Sequence, residues 1–458
     1  MARIALHTFI CAALYALAAL HSRSLAADSR QCRCCPNAPS FWIGPALDKN
    51  ELHSDELLLD RDAARPASGV NNGCGIDESL FGSDSDTLFD AIPHGTDWIT
   101  GQVLYTGELL SNTRGGLNTN RATRFRGVLD LTLDVDFEAA GGPTGLSLFV
   151  AAGQMHGQSL SVRDVGDWQY ISNIDSSPFP SLTQLNEYWL RQEFGDSGWI
   201  KGGRIDANAT FAFADLAGDF VNNSFCQMPT VPLPVWPTQS LGVDGAINLN
   251  DDLSIVGGAY QGNTLAPNWG LPVAGDLGWV ILGHLERRTS LGPDELQGTF
   301  RLGAFLQTGG WDEITPAAPG QSFNENYGFW ATADQLIFAE SNGDDSDSGD
   351  QGLGVFLELG WSPEDRNFVE RSLGTGLVYR GLIHGRDEDT IGIGLARIEF
   401  GGRTTALMGL TSEDAIELFY KVQIRPWFAV QPDIQYIANP GGNGHDSLVA
   451  GFRFEAAL

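Results

Sequence analysis

Acidic, indole and guanidinium side chains recur at every second position of one short segment: Glu187, Trp189, Arg191 and Glu193. Apolar side chains at positions 190 and 194 have the opposite parity. Side chains two residues apart share one face of a β-strand, so the segment predicts one polar face and one apolar face. The charged groups can hydrogen-bond hydroxyls, and an indole can stack on the apolar face of a sugar ring. This chemistry suits weak, reversible contact with a polyhydroxylated solute.

The same alternation is clearest in residues 129–137, where Leu, Val and Phe alternate with Asp and Thr. A helix cannot separate these two sets, whereas a strand between two different solvents does. Similar segments recur after residue 97. We predict sixteen strands, near residues 98–110, 121–138, 144–156, 184–195, 198–206, 239–250, 252–262, 277–288, 297–308, 327–338, 352–361, 373–385, 389–399, 414–425, 428–438 and 446–456.

The connections between these segments alternate in length. Most of those after even-numbered strands are short and most of those after odd-numbered strands are long, although residues 339–351 and 439–445 fit poorly. This sorting is typical of an outer-membrane barrel with short periplasmic turns and longer external loops. A soluble sandwich or propeller has no reason for it. The sequence predicts an all-β fold, a sixteen-stranded antiparallel transmembrane β-barrel over residues 96–458.

Residues 1–26 resemble a secretory signal peptide, with Arg3 before an apolar stretch and small residues at 24 and 26. A retained anchor helix is the alternative. Residues 27–95 lack sustained alternation, and we expect them to form a periplasmic or plug-like segment. This segment holds Cys32, Cys34, Cys35 and Cys74, for which disulfides, unpaired thiols and a metal site all stay open.

The chain has 27 Lys and Arg against 57 Asp and Glu, a formal net charge of −30. This charge argues against nucleic acid and anionic lipid headgroups as partners. The 56 Gly, 25 Phe and 12 Trp favour an all-β chain rich in turns. Five tryptophans near strand ends could form interfacial girdles or ordinary caps on a soluble sheet: Trp98, Trp199, Trp279, Trp361 and Trp427.

Catalytic motifs give little. Neither a G-x-S-x-G elbow nor an H-E-x-x-H zinc motif occurs in the sequence, although a carboxylate pair for glycoside hydrolysis stays open. The run NGDDSDSGD from Asn342 could bind calcium, but it lacks the Glu that closes an EF-hand loop and fits a solvated acidic turn better. We therefore expect neither an enzyme nor a bound cofactor or metal.

Several segments resemble the carbohydrate-selective porin family, the OprB-like outer-membrane porins. The longest is AIELFYKVQIRPWFAVQPDIQYIANPGG at residues 415–442. Others are LNEYWLRQEF from Leu185, GWIKGGRIDANATFAF from Gly198, FVNNSF from Phe220, GFWATADQ from Gly328, GLGVFLELGWSPEDRN from Gly352 and GRDEDTIGIGLA from Gly385. The resemblance spans residues 95–455 and does not include the Cys-containing segment.

The resemblance implies passive diffusion of small sugars through a channel in the outer-membrane lipid, as a monomer or a trimer. A general or other-substrate porin is the alternative, and a barrel enzyme comes last. Which sugar passes is left open. Beside the four residues above, the pore-lining candidates are Arg124, Arg126, Arg204, Asp206, Lys421 and Arg425. Strand parity adds Asp130, Arg301, Glu358, Arg380, Arg397, Gln423 and Arg453.

Sixteen strands enclose a pore too wide to select a small sugar unless something narrows it. The two longest connections, residues 157–183 and 207–238, follow odd-numbered strands and are therefore external. Four prolines between residues 229 and 237 would stiffen the second connection. We predict that at least one of the two folds inward.

Overall fold

The computed structural model describes residues 98–177, 179, 181–262, 278–292, 295–315, 320–340 and 351–457. The predicted signal peptide, the Cys-containing segment up to residue 95 and the acidic run 342–350 lie outside the described residues. Sixteen strands are present in the described part of the chain: β1 Ile99–Arg114, β2 Thr123–Asp136, β3 Leu146–Gly157, β4 Ser181–Glu193, β5 Gly198–Ile205, β6 Ser240–Asn250, β7 Leu253–Gln261, β8 Trp279–Leu291, β9 Leu296–Asp312, β10 Ser322–Ala339, β11 Gly352–Trp361, β12 Val369–Arg380, β13 Thr390–Phe400, β14 Ser412–Arg425, β15 Phe428–Ala438 and β16 Ser447–Ala457.

Each strand pairs antiparallel with its neighbours in sequence, and β1 pairs with β16 to close the sheet. Closure leaves no sheet edge with unpaired backbone groups, which a lipid environment requires. The predicted sixteen-stranded antiparallel barrel is confirmed. β10 begins at Ser322, earlier than predicted, because pairing with β9 continues beyond the polar residues that interrupt the alternation there.

The two faces of the wall differ as the alternation predicts. Leu302 and Ile247 are among many large apolar side chains exposed on the outside, where lipid covers them. On β14 and β15 the opposite parity carries Glu417, Asp433 and Gln435, which are buried inside the barrel. The wall therefore separates an apolar exterior from a polar interior.

The connections contain only short helices in the described part of the chain. One α-helix, α1 Gly402–Met408, lies between β13 and β14. A π-helical turn spans Ser161–Val165, and 3-10 turns span Ala207–Ala209, Asp215–Ala217, Asn223–Phe225 and Pro440–Gly442. Among the described residues, no helix has the length and apolar character to cross a membrane.

Both long connections fold into the barrel, which confirms the prediction for each of them. We call the described residues 158–180 the first inward loop and residues 206–239 the second inward loop. Phe220 and Phe225 of the second loop pack against Phe356 and Phe419 of the wall. The wall has a glycine, Gly394, where these rings lie, and a Cβ added there would come within 2.6 Å of Phe220. The core of the protein thus lies between loops and wall.

Candidate solute-binding surface on the inner wall

The strand register brings aromatic rings from β3, β4 and β5 together on the inner face. Trp189 lies opposite Phe149 on one side and Gly203 on the other. The Phe149 and Trp189 rings stack with centroids 5.0 Å apart and planes 23° apart. Because glycine carries no side chain, Gly203 leaves one flank of the Trp189 indole uncovered. Leu190, on the opposite parity, is 50% exposed on the outer face.

Two cations lie over these rings. The Arg191 guanidinium carbon is 4.5 Å from the centre of the Trp199 ring. The Lys201 ammonium is 5.4 Å from the centre of the Trp189 ring and 5.6 Å from that of Trp199. Cation–π contacts at such distances hold both partners in place and contribute about 0.5–1 kcal/mol each at exposed sites. We call this group, Phe149, Trp189, Arg191, Trp199 and Lys201, the aromatic–cation surface.

Carboxylates balance both cations. Arg191 Nη2 lies 3.0 Å from Glu193, and Lys201 Nζ lies 3.5 Å from Asp244. Lys201 also donates a hydrogen bond of 3.2 Å to the Thr210 hydroxyl, which itself donates to Asp244 at 3.0 Å. Since Thr210 belongs to the second inward loop, this loop covers the Lys201 end of the surface. Arg191 and Glu193 stay open to solvent, with 33% and 55% of their side chains exposed.

The predicted quartet of β4 shares the inner face, but its members differ in access. Trp189, Arg191 and Glu193 are partly or fully exposed, whereas Glu187 is buried. The Glu187 carboxylate accepts a 3.0 Å hydrogen bond from the Asp206 backbone N–H. Glu187 therefore holds the start of the second inward loop.

Arg204 and Asp206 occupy positions other than those predicted. Arg204 pairs with Tyr188, on the parity opposite to Trp189, and donates to the backbone carbonyls of Leu185 and Gln239. Asp206 follows the end of β5 and accepts the Trp236 N–H at 2.9 Å. Burial, followed by repulsion from Glu187, raises the pKa of Asp206 to about 7. Asp206 therefore lies close to Glu187, but both residues are buried at the start of the second inward loop.

Arg124 and Arg126 face the first inward loop. Arg124 binds the Asp164 carboxylate through two hydrogen bonds of 2.6 and 2.8 Å. Arg126 lies 3.0 Å from Asp175 and donates to the Ser176 hydroxyl. Bidentate guanidinium–carboxylate pairing fixes geometry as well as charge. Both arginines thus anchor this loop to β2.

The two remaining candidates, Lys421 and Arg425, lie on β14. In the closed order of strands, β14 and β4 are each three strands from β1, on opposite sides of it. Lys421 contacts Asp219 of the second inward loop and Glu455 of β16. Arg425 is exposed at the turn between β14 and β15, where it donates to the Ile424 carbonyl. The structure does not bring either of them to the aromatic–cation surface.

Two other residues lie on a face of the wall that the sequence did not indicate. Trp199, for which a girdle and a cap were both open, packs inside against an apolar cluster that includes Phe211 of the second inward loop. Arg397, expected in the lumen, lies on the outer face between the buried Ala396 and Ile398, where it binds Asp414 at 2.9 Å. Their residue types do not identify the face, because a Trp near a strand end and an Arg within a strand occur on either face of the wall.

Phe149 and Lys201 were missed in the sequence. Lys201 could have been found by counting back across the short β4–β5 turn, which places it opposite Arg191. Phe149 gave no comparable signal, since it looked like one more apolar residue of β3. Cys226 is a buried cysteine of the second inward loop. Within the described ranges, no group of three or more His, Cys, Asp or Glu side chains is arranged to hold a metal ion.

A closed barrel with a polar interior, an apolar exterior and long loops folded into the lumen defines an outer-membrane porin. The chain belongs to the carbohydrate-selective porin family, the OprB family, whose family model matches residues 120–458. The protein is therefore an outer-membrane channel for the passive diffusion of sugars, and the family resemblance seen in the sequence is confirmed.

Known proteins agree with this assignment. Porin B of Pseudomonas aeruginosa is 26% identical over 398 residues, which cover 77% of this chain and 86% of that protein. A putative porin, QuiX, of Acinetobacter baylyi is 21% identical over 76% of this chain and 87% of its own length. The structure of OprB from Pseudomonas putida at high pH has a TM-score of 0.70 and 22% identity, and covers 79% of this chain and 94% of that one. This last likeness concerns the fold.

Proposed function

We propose that the aromatic–cation surface is where a permeating sugar contacts the wall of the channel. The observation that carries this is the pair of cations held over partly exposed indole rings on the inner face of β4 and β5. The partly exposed Trp189 and Trp199 rings offer apolar surface beside the cations for a pyranose, and Arg191 with Glu193 offers hydrogen-bond donors and acceptors for its hydroxyls.

The strength of such contacts suits conduction. A hydrogen bond to a charged group contributes about 1.5–3 kcal/mol, so two or three of them give binding that is weak enough to release the sugar. The donors are also pre-positioned, because each cation is fixed by a ring and a carboxylate. This mechanism uses only side chains that bind and release. It requires no catalytic group, cofactor or energy source.

Trp189→Ala and Arg191→Ala test the proposal in planar lipid bilayers. Each variant is expected to weaken block of the ion current by sugars about tenfold, which corresponds to ~1.4 kcal/mol. Open-channel conductance should change less than sugar block, because Arg191 pairs with Glu193 of the wall and Trp189 packs against an apolar cluster whose other members keep the second inward loop in place. Leu190→Ala, between them on the outer face, is the matched control and should keep the sugar block of the unmodified channel.

The same measurement separates a sugar channel from a general diffusion pore. A general pore would show no saturable block by neutral sugars even before mutation. If the unmodified channel is blocked and both variants keep the same sugar affinity, the channel is sugar-selective but its contact site lies elsewhere on the wall.

A further inference from the structure

The tip of the second inward loop is anchored to two strands of the wall, β9 and β14. We call residues 213–219 the strap. Phe213, Asp215, Leu216 and Asp219 are exposed or partly exposed, whereas the flanking residues 211–212 and 220–228 are buried. The strap is thus the part of this loop that faces the open lumen.

One end of the strap is bound to β9 through Arg301. The Arg301 guanidinium binds Asp215 at 2.9 Å and lies 4.3 Å from the centre of the Phe213 ring. Only 6% of the Arg301 side chain is exposed. Arg301 also lies 2.9 Å from Glu286 on β8 and 3.5 Å from Asp334 on β10. One cation therefore serves three carboxylates, of which only Asp215 belongs to the loop.

The other end is bound to β14 through Lys421. Lys421 Nζ lies 2.9 Å from Asp219 and 3.0 Å from Glu455 on β16. Gln431 on β15 adds a 2.7 Å hydrogen bond to the Asp219 carbonyl. Lys421, like Arg301, is one wall cation shared by several carboxylates, and only 12% of its side chain is exposed.

The two anchor strands are five apart in the closed order of sixteen. Between these anchors the strap follows the inner wall. The Leu216 N–H donates to Asp334 of β10 at 2.8 Å, and a Cβ added at Gly354 of β11 would come within 2.5 Å of the Leu216 side chain. The strap is therefore held at both ends and at its middle.

We propose that Arg301 and Lys421 are positioning residues that hold the strap against the inner wall and so set the width of the pore. This inference goes beyond the sugar-contact surface and does not depend on it. Its electrostatic basis is specific. Without Arg301, Asp215 would face the carboxylates of Asp334 and Glu286, of which Glu286 keeps its contact of 3.5 Å with Arg288. Repulsion would then drive the strap away from β9.

The experiment compares Arg301→Gln, Asp215→Asn and the double variant. All three lose the ion pair, but only Arg301→Gln leaves a charged strap opposite two wall acids. Pore width is measured by excluding neutral polyethylene glycols of graded size from single channels, since uncharged polymers do not sense the altered charge. We expect the size of the largest polymer that enters the channel to fall most for Arg301→Gln, because the strap is repelled from the wall into the lumen, and to fall less for Asp215→Asn. The double variant should return towards the Asp215→Asn value.

Lys421→Gln and Asp219→Asn repeat the comparison at the other anchor. Arg301→Lys keeps the charge and should keep a near-normal cut-off. Arg397→Gln is the matched control, because it removes an ion pair of 2.9 Å from the outer face. Should Arg301→Gln not assemble, Asp215→Asn still tests the anchor, since 53% of the Asp215 side chain is exposed. An unchanged polymer cut-off in assembled Arg301→Gln and Lys421→Gln channels, or in Asp215→Asn alone when Arg301→Gln is lost, would overturn the proposal.

Discussion

Two regions of the inner wall use charged side chains in opposite ways. On β4 and β5, Arg191 and Glu193 stay partly exposed beside aromatic rings. On β14, Glu413 and Glu417 are completely buried under the inward loops. Both regions read alike in sequence, as charges alternating with apolar residues. A charged side chain in the lumen therefore anchors a loop where a loop covers it, and is free to contact solute where no loop does.

The anchoring carboxylates share one geometry. Glu413 accepts the backbone N–H groups of Trp168 and Gln169, each at 2.9 Å. Glu417 accepts those of Val221 and Asn222 at 2.6 and 2.8 Å. A loop buried in a barrel must satisfy its backbone donors, and adjacent N–H groups can share one carboxylate. The first and second inward loops are thus fixed to the same strand.

The largest effect is expected for Glu417→Ala, which should lower the free energy of unfolding by about 3 kcal/mol, because two buried N–H groups lose their acceptor. It should also make the ion current noisier. Urea unfolding followed by tryptophan fluorescence and single-channel recording check this. Glu399→Ala, on the outer face and partly exposed, should change neither quantity. Equal stability losses in the two variants would remove the distinction between anchors and other wall acids.

A second variant, Trp199→Ala, tests the partly exposed region on β4 and β5. It removes the ring beneath both cations, so Arg191 and Lys201 lose a shared partner. Sugar block should weaken by about tenfold, or ~1.4 kcal/mol, while the unfolding free energy changes less than in Glu417→Ala. The measurement is a titration of current against sugar concentration. A normal sugar block would mean that Trp199 is only a structural residue of the apolar cluster.

The smallest effect is expected from Arg425→Ala. This residue is exposed at a turn and donates to the neighbouring Ile424 carbonyl, so neither a loop nor the aromatic–cation surface depends on it. Stability should change by less than about 0.5 kcal/mol, as at most surface positions. Sugar block should stay the same. A clear loss of block would show that the solute path reaches this turn and that parity alone identified it.

The residues of the individual strands are sufficient to predict the barrel. Alternation over residues 129–137 requires a strand with one apolar and one polar face, and sixteen such segments with connections of alternating length leave few other folds. The inner face of β4 followed in the same way, because Leu190 and Phe194 mark the outer parity. These are local properties that each strand carries in its own residues.

The role of each charged side chain on the inner face depends on contacts between segments that are far apart in the chain. The register across the β4–β5 turn placed Lys201 beside Arg191, and a shift in pairing near Ala151 and Ala152 lies next to the buried Glu187. Contacts such as Glu417 with Val221 or Arg301 with Asp215 join residues far apart in the chain. A period of two residues records the face of a strand but carries no information about which loop will cover it, and burial by a loop is what turns a lumen charge into an anchor.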